Sequence, residues 1–192
     1  MRTTRARSIV VYILAAVFVA GLGFFVLKTF LYGADWAVSP INQHINTEGG
    51  ELTAAGQVLD RDGEILAQSV DGQRVYSPDS LIRRAMLQTV GDNTWAISTA
   101  VQNTRRSDLI GYNFITGISA NSVFGAGNNL KLTLDSGLCA QALSLMGDRN
   151  GAVVITNYVT GEILCMVSTP NYDPENRPDI EADESGQYDG VF

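Results

Sequence analysis

The sequence predicts an α+β protein with a single transmembrane helix at its N-terminus, an irregular β-rich part after it, and a helix followed by a β-hairpin at the end. Three observations predict this. Residues 9–27, opening at Ile9 and closing at Leu27, form a 19-residue run without a charge. Short apolar runs broken by Asp-Gly and Asn-Tyr-Val-Thr-Gly turns follow. Helical periodicity of any length returns only twice, around residues 78–90 and 135–146.

The apolar run comes first in the chain. At 1.5 Å per residue it makes a helix about 28 Å long, close to the thickness of a bilayer's hydrocarbon core. It exceeds the h-region of a signal peptide, and no small-x-small cleavage site follows it. Arg2, Arg5 and Arg7 precede it, and residues 1–31 contain no acid. Basic flanks are retained on the cytoplasmic side, so the N-terminus is expected inside and residues 32–192 outside. Phe30, Tyr32 and Trp36 suit the outer interfacial belt. A buried core helix is the competing reading, but apolarity on every face over that length speaks for lipid.

The remainder is acidic. All 20 Asp and Glu lie beyond residue 31, and the whole chain carries a net charge of −7. No basic face exists to release counterions from phosphates, so nucleic acid is not an expected partner. One histidine, His44, and two cysteines 26 positions apart, Cys139 and Cys165, cannot supply a four-ligand zinc site. Neither a metal nor a cofactor is expected. His44 has no Ser-His-Asp arrangement nearby and reads as a surface or hydrogen-bonded histidine. The cysteines fall on apolar faces and read as small core residues; a disulfide outside the membrane is conceivable, though spacing gives it no support.

Val58-Leu59-Asp60 and residues 64–70 flank Arg61-Asp62-Gly63, a hairpin signal. Ser77 can cap a helix with Pro78 in its first position, burying Leu81, Ile82, Ala85, Met86 and Thr89 on one face and ending at Gly91. Residues 92–129 are rich in Asn, Ser, Thr and Gly and are expected to be irregular with short strands. Residues 130–134 read as a strand. Asp135 or Ser136 then caps a helix that buries Leu138, Ala142 and Leu145 and closes at Gly147. The runs 152–156 and 163–167 are continuous rather than alternating, so both are expected to be strands covered on two faces. Only the preceding helix is at hand to cover one of them. Residues 171–192 hold seven acids, one arginine and two prolines and are expected to be exposed or mobile. Arg83-Arg84 and Arg105-Arg106 read as solvated pairs. Asp179, Glu181 and Asp183 alternate as calcium ligands do, but without EF-hand spacing they read as a solvated acidic loop.

The segments Leu132-Thr133-Leu134-Asp135, Gly151-Ala152-Val153-Val154-Ile155 and Thr160-Gly161-Glu162-Ile163-Leu164-Cys165-Met166-Val167-Ser168-Thr169-Pro170-Asn171-Tyr172-Asp173-Pro174 closely resemble class B penicillin-binding proteins. Upstream, Asp60-Arg61-Asp62-Gly63-Glu64-Ile65-Leu66-Ala67 is similar to the strand-turn-strand motif of that family's non-catalytic pedestal. The order of motifs follows the family from anchor to acidic loop. Two positions depart: Ala55 precedes Gly56 where the family usually has Arg-Gly, and Cys165 stands where a small residue, often alanine, is usual.

The resemblance implies three parts: 1–31 as basic tail and anchor, 32–130 as pedestal, and 131–192 as the start of a transpeptidase domain with an acidic loop. It implies peptidoglycan cross-linking for the whole protein, in cell-wall synthesis for cell shape or division, through an acyl-serine that also binds β-lactams. The expected partners are membrane lipid through residues 9–27, a polytopic glycosyltransferase and other cell-wall synthesis proteins, with the peptidoglycan stem peptide bound only by the full-length protein. For these 192 residues no catalytic residue is expected. The family's nucleophile sits in Ser-x-x-Lys, but Asn128 stands three positions before Lys131 and Phe25 three before Lys28, and these are the only lysines. Lys-Thr-Gly is missing because Leu132 follows Lys131, and Ser119-Ala120-Asn121 matches Ser-x-Asn at a place where the family has its pedestal. The resemblance therefore puts the nucleophile shortly beyond Phe192. A non-enzymatic, membrane-anchored interaction module of a cell-wall synthesis or division complex is the alternative. An unrelated secreted hydrolase has no nucleophile–base pair to support it.

Overall fold

A computed structural model describes residues 2–37, 52, 55–94, 96–113, 118–119, 127–180, 184–188 and 190–191. His44, Ala120, Asn121, Glu181 and Asp183 lie outside the described residues.

Helix α1 runs over Arg2–Ala37. Its apolar side chains from Ile9 to Tyr32 are half or more exposed, Phe25 at 67%. The apolar stretch within it is Arg7–Gly33, 27 residues, or about 40 Å of helix, enough to cross a bilayer with tilt.

A four-stranded sheet follows, built from β1 (Val58–Leu59), β2 (Ile65–Val70), β3 (Gln73–Tyr76) and β6 (Leu130–Lys131), in the order β3-β2-β1-β6. The expected hairpin across Arg61-Asp62-Gly63 is present, with β1 and β2 antiparallel and Gly63 at φ 95°. A second, tighter turn joins β2 to β3 through Asp71 and Gly72, both at positive φ, the geometry that matches the right-handed twist of the strands it joins. The pairing of β1 with β6 is parallel, Val58 opposite Leu130. That brings the backbone of Gly56 against that of Gly127 and Asn128. A Cβ on Gly56 would lie 1.9 Å from the Asn128 carbonyl oxygen, and one on Gly127 1.6 Å from that of Leu109. Two glycines are thus required for the chain to close this sheet.

Helix α2 spans Ser80–Val90 and buries Ala85, Met86, Leu87 and Val90. Its N-cap differs from the expected one. Asp79 holds the cap position and accepts from the Leu81 N–H at 2.8 Å. Ser77 lies outside, where its hydroxyl receives the Asp79 N–H at 3.4 Å. Pro78 therefore precedes the cap rather than opening the helix. Short helices α3 (Val101–Thr104) and α4 (Arg106–Ile110) and the two-residue strands β4 (Tyr112–Asn113) and β5 (Ile118–Ser119) occupy the stretch expected to be irregular.

Helix α5, Ser136–Met146, is capped by Asp135, whose side chain accepts from the Leu138 N–H, and ends at Gly147. It packs on α2 and on the second strand of the hairpin formed by β7 (Gly151–Thr156) and β8 (Ile163–Thr169). The register pairs Val153 with Val167 and Ile155 with Cys165, so these four share one face. Cys165 and Val167 are buried beneath α5, but Val154 on the opposite face is 57% exposed. As the single neighbouring helix allows, the described residues cover one face, at Cys165 and Val167, and leave the other open. The expected face of α5 is only partly right. Ala142 is buried and Leu138 partly so, while Leu145 is 80% exposed.

One apolar core runs through Leu52, Val58, Leu66, Met86, Leu109, Leu134, Cys139, Leu143, Cys165 and Val167. Burying side chains of this size contributes roughly 1.5 to 3 kcal/mol each. The sheet, α2, α5 and β8 therefore share a single interior. A smaller cluster joins Leu87, Ile97 and Ala100 to Tyr172 and Val191.

Candidate functional site

The chemistry-bearing residues gather where the Asp60–Gly63 turn, α2, the start of α5 and the segment after β8 meet. Asp60 is 2% exposed and accepts four hydrogen bonds. Its Oδ1 receives the N–H groups of Asp62 at 2.8 Å and Glu64 at 2.9 Å. Its Oδ2 receives the Ser136 hydroxyl at 2.7 Å and the Ser136 N–H at 3.4 Å. The carboxylate thus closes its own turn and also sits on the first turn of α5, where orphan N–H groups favour negative charge. Burial pushes its pKa up, but the bonds from Ser136, Glu64 and Asp62 outweigh it and leave the group below the ordinary carboxylate value.

Ser136 and Asp60 are a serine and a carboxylate in contact, and their environment decides what they can do. A general base must bind a proton near neutral pH, whereas Asp60 is held more acidic than usual. Ser136 is 3% exposed. The pair is a fastening between turn and helix. Beside it opens a cleft of about 350 Å³ lined by Glu64, Gln68, Tyr76, Ser77, Asp79 and Ser136 among others.

A second fastening holds the segment after β8. Arg83 donates from Nε to Asp173 Oδ1 at 2.7 Å and from Nη2 to Oδ2 at 2.5 Å, a bidentate pair. Its Nη1 reaches the Ser77 carbonyl at 2.9 Å and Glu175 at 3.4 Å. Hydrogen bonding from Arg83, against a smaller opposing effect of burial, holds Asp173 below the usual carboxylate value. Arg84 donates to the Asn171 side chain at 3.1 Å. Tyr172 donates its hydroxyl to the buried Asp92 at 2.6 Å, and Arg177 lies 3.8 Å from the same carboxylate. Burial, then the bond to Asp92, raises the Tyr172 phenol well above its ordinary pKa.

These contacts correct two expectations. Residues 171–177 are docked rather than loose, with Asn171 and Tyr172 buried, because Arg83, Arg84 and Asp92 offer partners for their polar groups and Leu87 and Ile97 for the ring. The solvated reading of the arginine pairs fails for Arg83, at 10% side-chain exposure, and for Arg106, at 2%. It holds for Arg105, which pairs with Asp108 at the surface. A third polar knot was equally unsignalled. Gln102, wholly buried, accepts from Arg74 at 2.7 Å and donates to the Gly91 carbonyl and the Tyr76 hydroxyl. Arg74 also donates to the Gly56 carbonyl at 2.9 Å, pinning the glycine that lets the sheet close. Among the described residues no three His, Cys, Asp or Glu side chains are grouped as metal ligands.

No family model matches the chain. A 48-residue stretch is 46% identical to the peptidoglycan D,D-transpeptidase MrdA of Acinetobacter baumannii, covering 25% of this chain and 7% of that protein. A 49-residue stretch is 45% identical to MrdA of Escherichia coli K12, 26% and 8% of the two chains. The matched stretch thus spans under a tenth of the length of these curated relatives. Pseudomonas aeruginosa PBP2 in complex with WCK 5153 shares the fold, with TM-score 0.51 and 22% identity over 72% of this chain and 32% of its own. The D,D-transpeptidase domain of a peptidoglycan glycosyltransferase from Eggerthella lenta aligns with TM-score 0.48 and 27% identity over 63% and 27%. The order of the motifs, the fold common with PBP2 and the stretch common with MrdA support one reading, that of a fragment similar to the class B penicillin-binding proteins.

Proposed function

We propose that these residues are the anchor and non-acylating base of a peptidoglycan D,D-transpeptidase, with residues 1–31 as tail and membrane span, 32–130 as pedestal and 131–192 as the opening of the transpeptidase domain. The observation that carries the reading is the joining of the two later parts into one body. Asp60 in the pedestal-like turn bonds Ser136 at the head of α5, and β1 pairs with β6 across the same junction. A base of this kind transmits the position of the membrane span to the catalytic domain it supports. The cross-linking reaction itself belongs to the longer protein. A polytopic glycosyltransferase and other cell-wall synthesis proteins are the partners proposed, and the stem peptide a substrate of the full-length enzyme.

Two measurements test this. A serine is a weak nucleophile at neutral pH without a base in reach, so the purified 192-residue chain is expected to gain no mass from a labelled β-lactam. Stoichiometric acylation of one serine would overturn the assignment of these residues as non-acylating. Topology is tested with cysteines placed at position 5 and at the exposed Tyr158 in a Cys139→Ala, Cys165→Ala background. An impermeant maleimide on intact cells should label position 158 and spare position 5, as the basic N-terminal flank requires. The reverse pattern would place residues 32–192 in the cytoplasm.

A further inference from the structure

The two cysteines arrive from different elements and meet at the centre of the core. Cys139 lies in the first turns of α5, and Cys165 sits mid-strand in β8; both are 0% exposed. Cys165 shares its strand face with Val167, the face that α5 covers. The Asp135 N–H donates to the Leu164 carbonyl at 2.9 Å, and the Thr133 hydroxyl to the Ile163 carbonyl at 2.8 Å. Those bonds tie the start of α5 to β8 within two residues of Cys165. Both side chains belong to the same apolar cluster, and each thiol is near enough to perturb the other's ionisation. With two sulfurs together and no group of metal ligands among the described residues, the chemistry open to the pair is its own oxidation.

We propose that Cys139 and Cys165 close into an intrachain disulfide that fixes α5 to the hairpin. Its formation in cells rests on the extracytoplasmic reading above, since disulfides persist in oxidising compartments. The oxidant is an exchanging disulfide, small-molecule or protein. One cysteine thiolate attacks a sulfur of that disulfide, forms a mixed disulfide and expels a thiolate. The second cysteine, deprotonated, attacks the sulfur of the first, forms the Cys139–Cys165 bond and expels the other thiolate. Two electrons and two protons leave the pair, and the exchanging disulfide is reduced to two thiols.

Burial sets the moment at which this happens. The thiolate is the attacking species, and in the folded chain burial raises the Cys139 thiol to about 12 and lifts Cys165 as well. Neither sulfur is reachable once α5 has docked. The bond is therefore laid down while the chain folds, and the folded dithiol and folded disulfide are two trapped forms that do not interchange in place.

The full chain in detergent micelles, unfolded and then refolded in a mixture of oxidised and reduced glutathione, tests the pairing. Denaturation and alkylation should then add no mass to it, and proteolysis should release a linked peptide pair containing residues 139 and 165. Refolding in excess dithiothreitol should give two alkyl groups and a melting midpoint lower on the order of 10 °C, the effect of opening a loop of about 26 residues in a chain of this size. The Cys165→Ala variant, checked for folding by circular dichroism, should melt alike under both regimes. Two alkylatable thiols after oxidative refolding to the native spectrum, or a bond between two chains, would overturn the proposal. Alkylation at the moment of cell lysis separates the two readings. A pair that links in micelles but stays reduced in cells supports the pairing and counts against the extracytoplasmic location.

Discussion

Replacing Arg83 with alanine is expected to destabilise the chain by about 3 kcal/mol, the lower end of what breaking a buried ion pair costs. The guanidinium makes two parallel bonds to Asp173 and a third to the Ser77 carbonyl, with Glu175 beside it. At 10% and 16% side-chain exposure, neither Arg83 nor Asp173 has full recourse to water when its partner is removed. Alanine leaves Asp173 as a poorly solvated charge and the Ser77 carbonyl without that donor. Asp173→Asn keeps shape and one acceptor and should cost less. The Arg83→Ala, Asp173→Ala double variant should be less destabilised than the sum of the singles, because no charge is left stranded. The pair also carries a pH signature. Asp173 has a folded pKa below its unfolded value, so its contribution is complete above about pH 5 and fades as pH falls through the folded pKa. Urea titrations of wild type and Arg83→Ala at pH 7 and pH 3 measure both effects, and the gap between the two proteins should narrow at pH 3. A loss under 0.5 kcal/mol, on the scale of an exposed pair, would mean that residues 171–177 are not held by this contact.

The parts of this fold that local chemistry dictates were legible in the sequence, and the parts that depend on distant partners were not. The apolar run from Ile9, the turn at Asp62-Gly63, the cap at Asp135 and the stop at Gly147 each follow from a residue type at a fixed offset, and the structure has all of them. The α2 cap illustrates the limit of such rules. Ser77 and Asp79 are both good N-caps two residues apart, and Pro78 between them misleads: proline suits the first helical turn, but here it precedes the cap. The parallel β1–β6 pairing joins strands of two residues about 70 positions apart, too short to show any period. Arg83 and Asp173 are 90 positions apart, so composition around either gives only the solvated reading. The docking of residues 171–177 escaped for the same reason: seven acids suggest repulsion until two arginines of α2 are set beside them. The cysteines say nothing by spacing and acquire meaning only once α5 lies on β8.

Asp60→Ala is expected to cost about 3 to 4 kcal/mol, because one buried carboxylate completes two structures. Oδ1 receives two backbone N–H groups that shape the turn between β1 and β2, and Oδ2 receives both the hydroxyl and the N–H of Ser136 at the head of α5. Hydrogen bonds to a charged acceptor contribute roughly 1.5 to 3 kcal/mol each, and they share one group, so the total falls short of their sum. Graded replacements divide the two roles. Ser136→Ala removes only the hydroxyl bond and should cost about 1 kcal/mol. Asp60→Asn can retain its oxygen toward the turn but presents an amide NH₂ to the Ser136 N–H, and should fall between the other two. The pH dependence follows from the net depression of the Asp60 pKa, in which its hydrogen bonds overcome burial. The carboxylate's contribution is present above the ordinary unfolded value of about 4 and is lost as pH drops through the folded value. Wild type should thus converge toward Asp60→Asn in acid, both then holding a neutral side chain at the junction. Denaturant midpoints of the four proteins at pH 7 and pH 3 measure the order and the convergence. If Asp60→Asn matches wild type at pH 7, the charge contributes nothing at the joint, and the turn and α5 are held together by their apolar core alone.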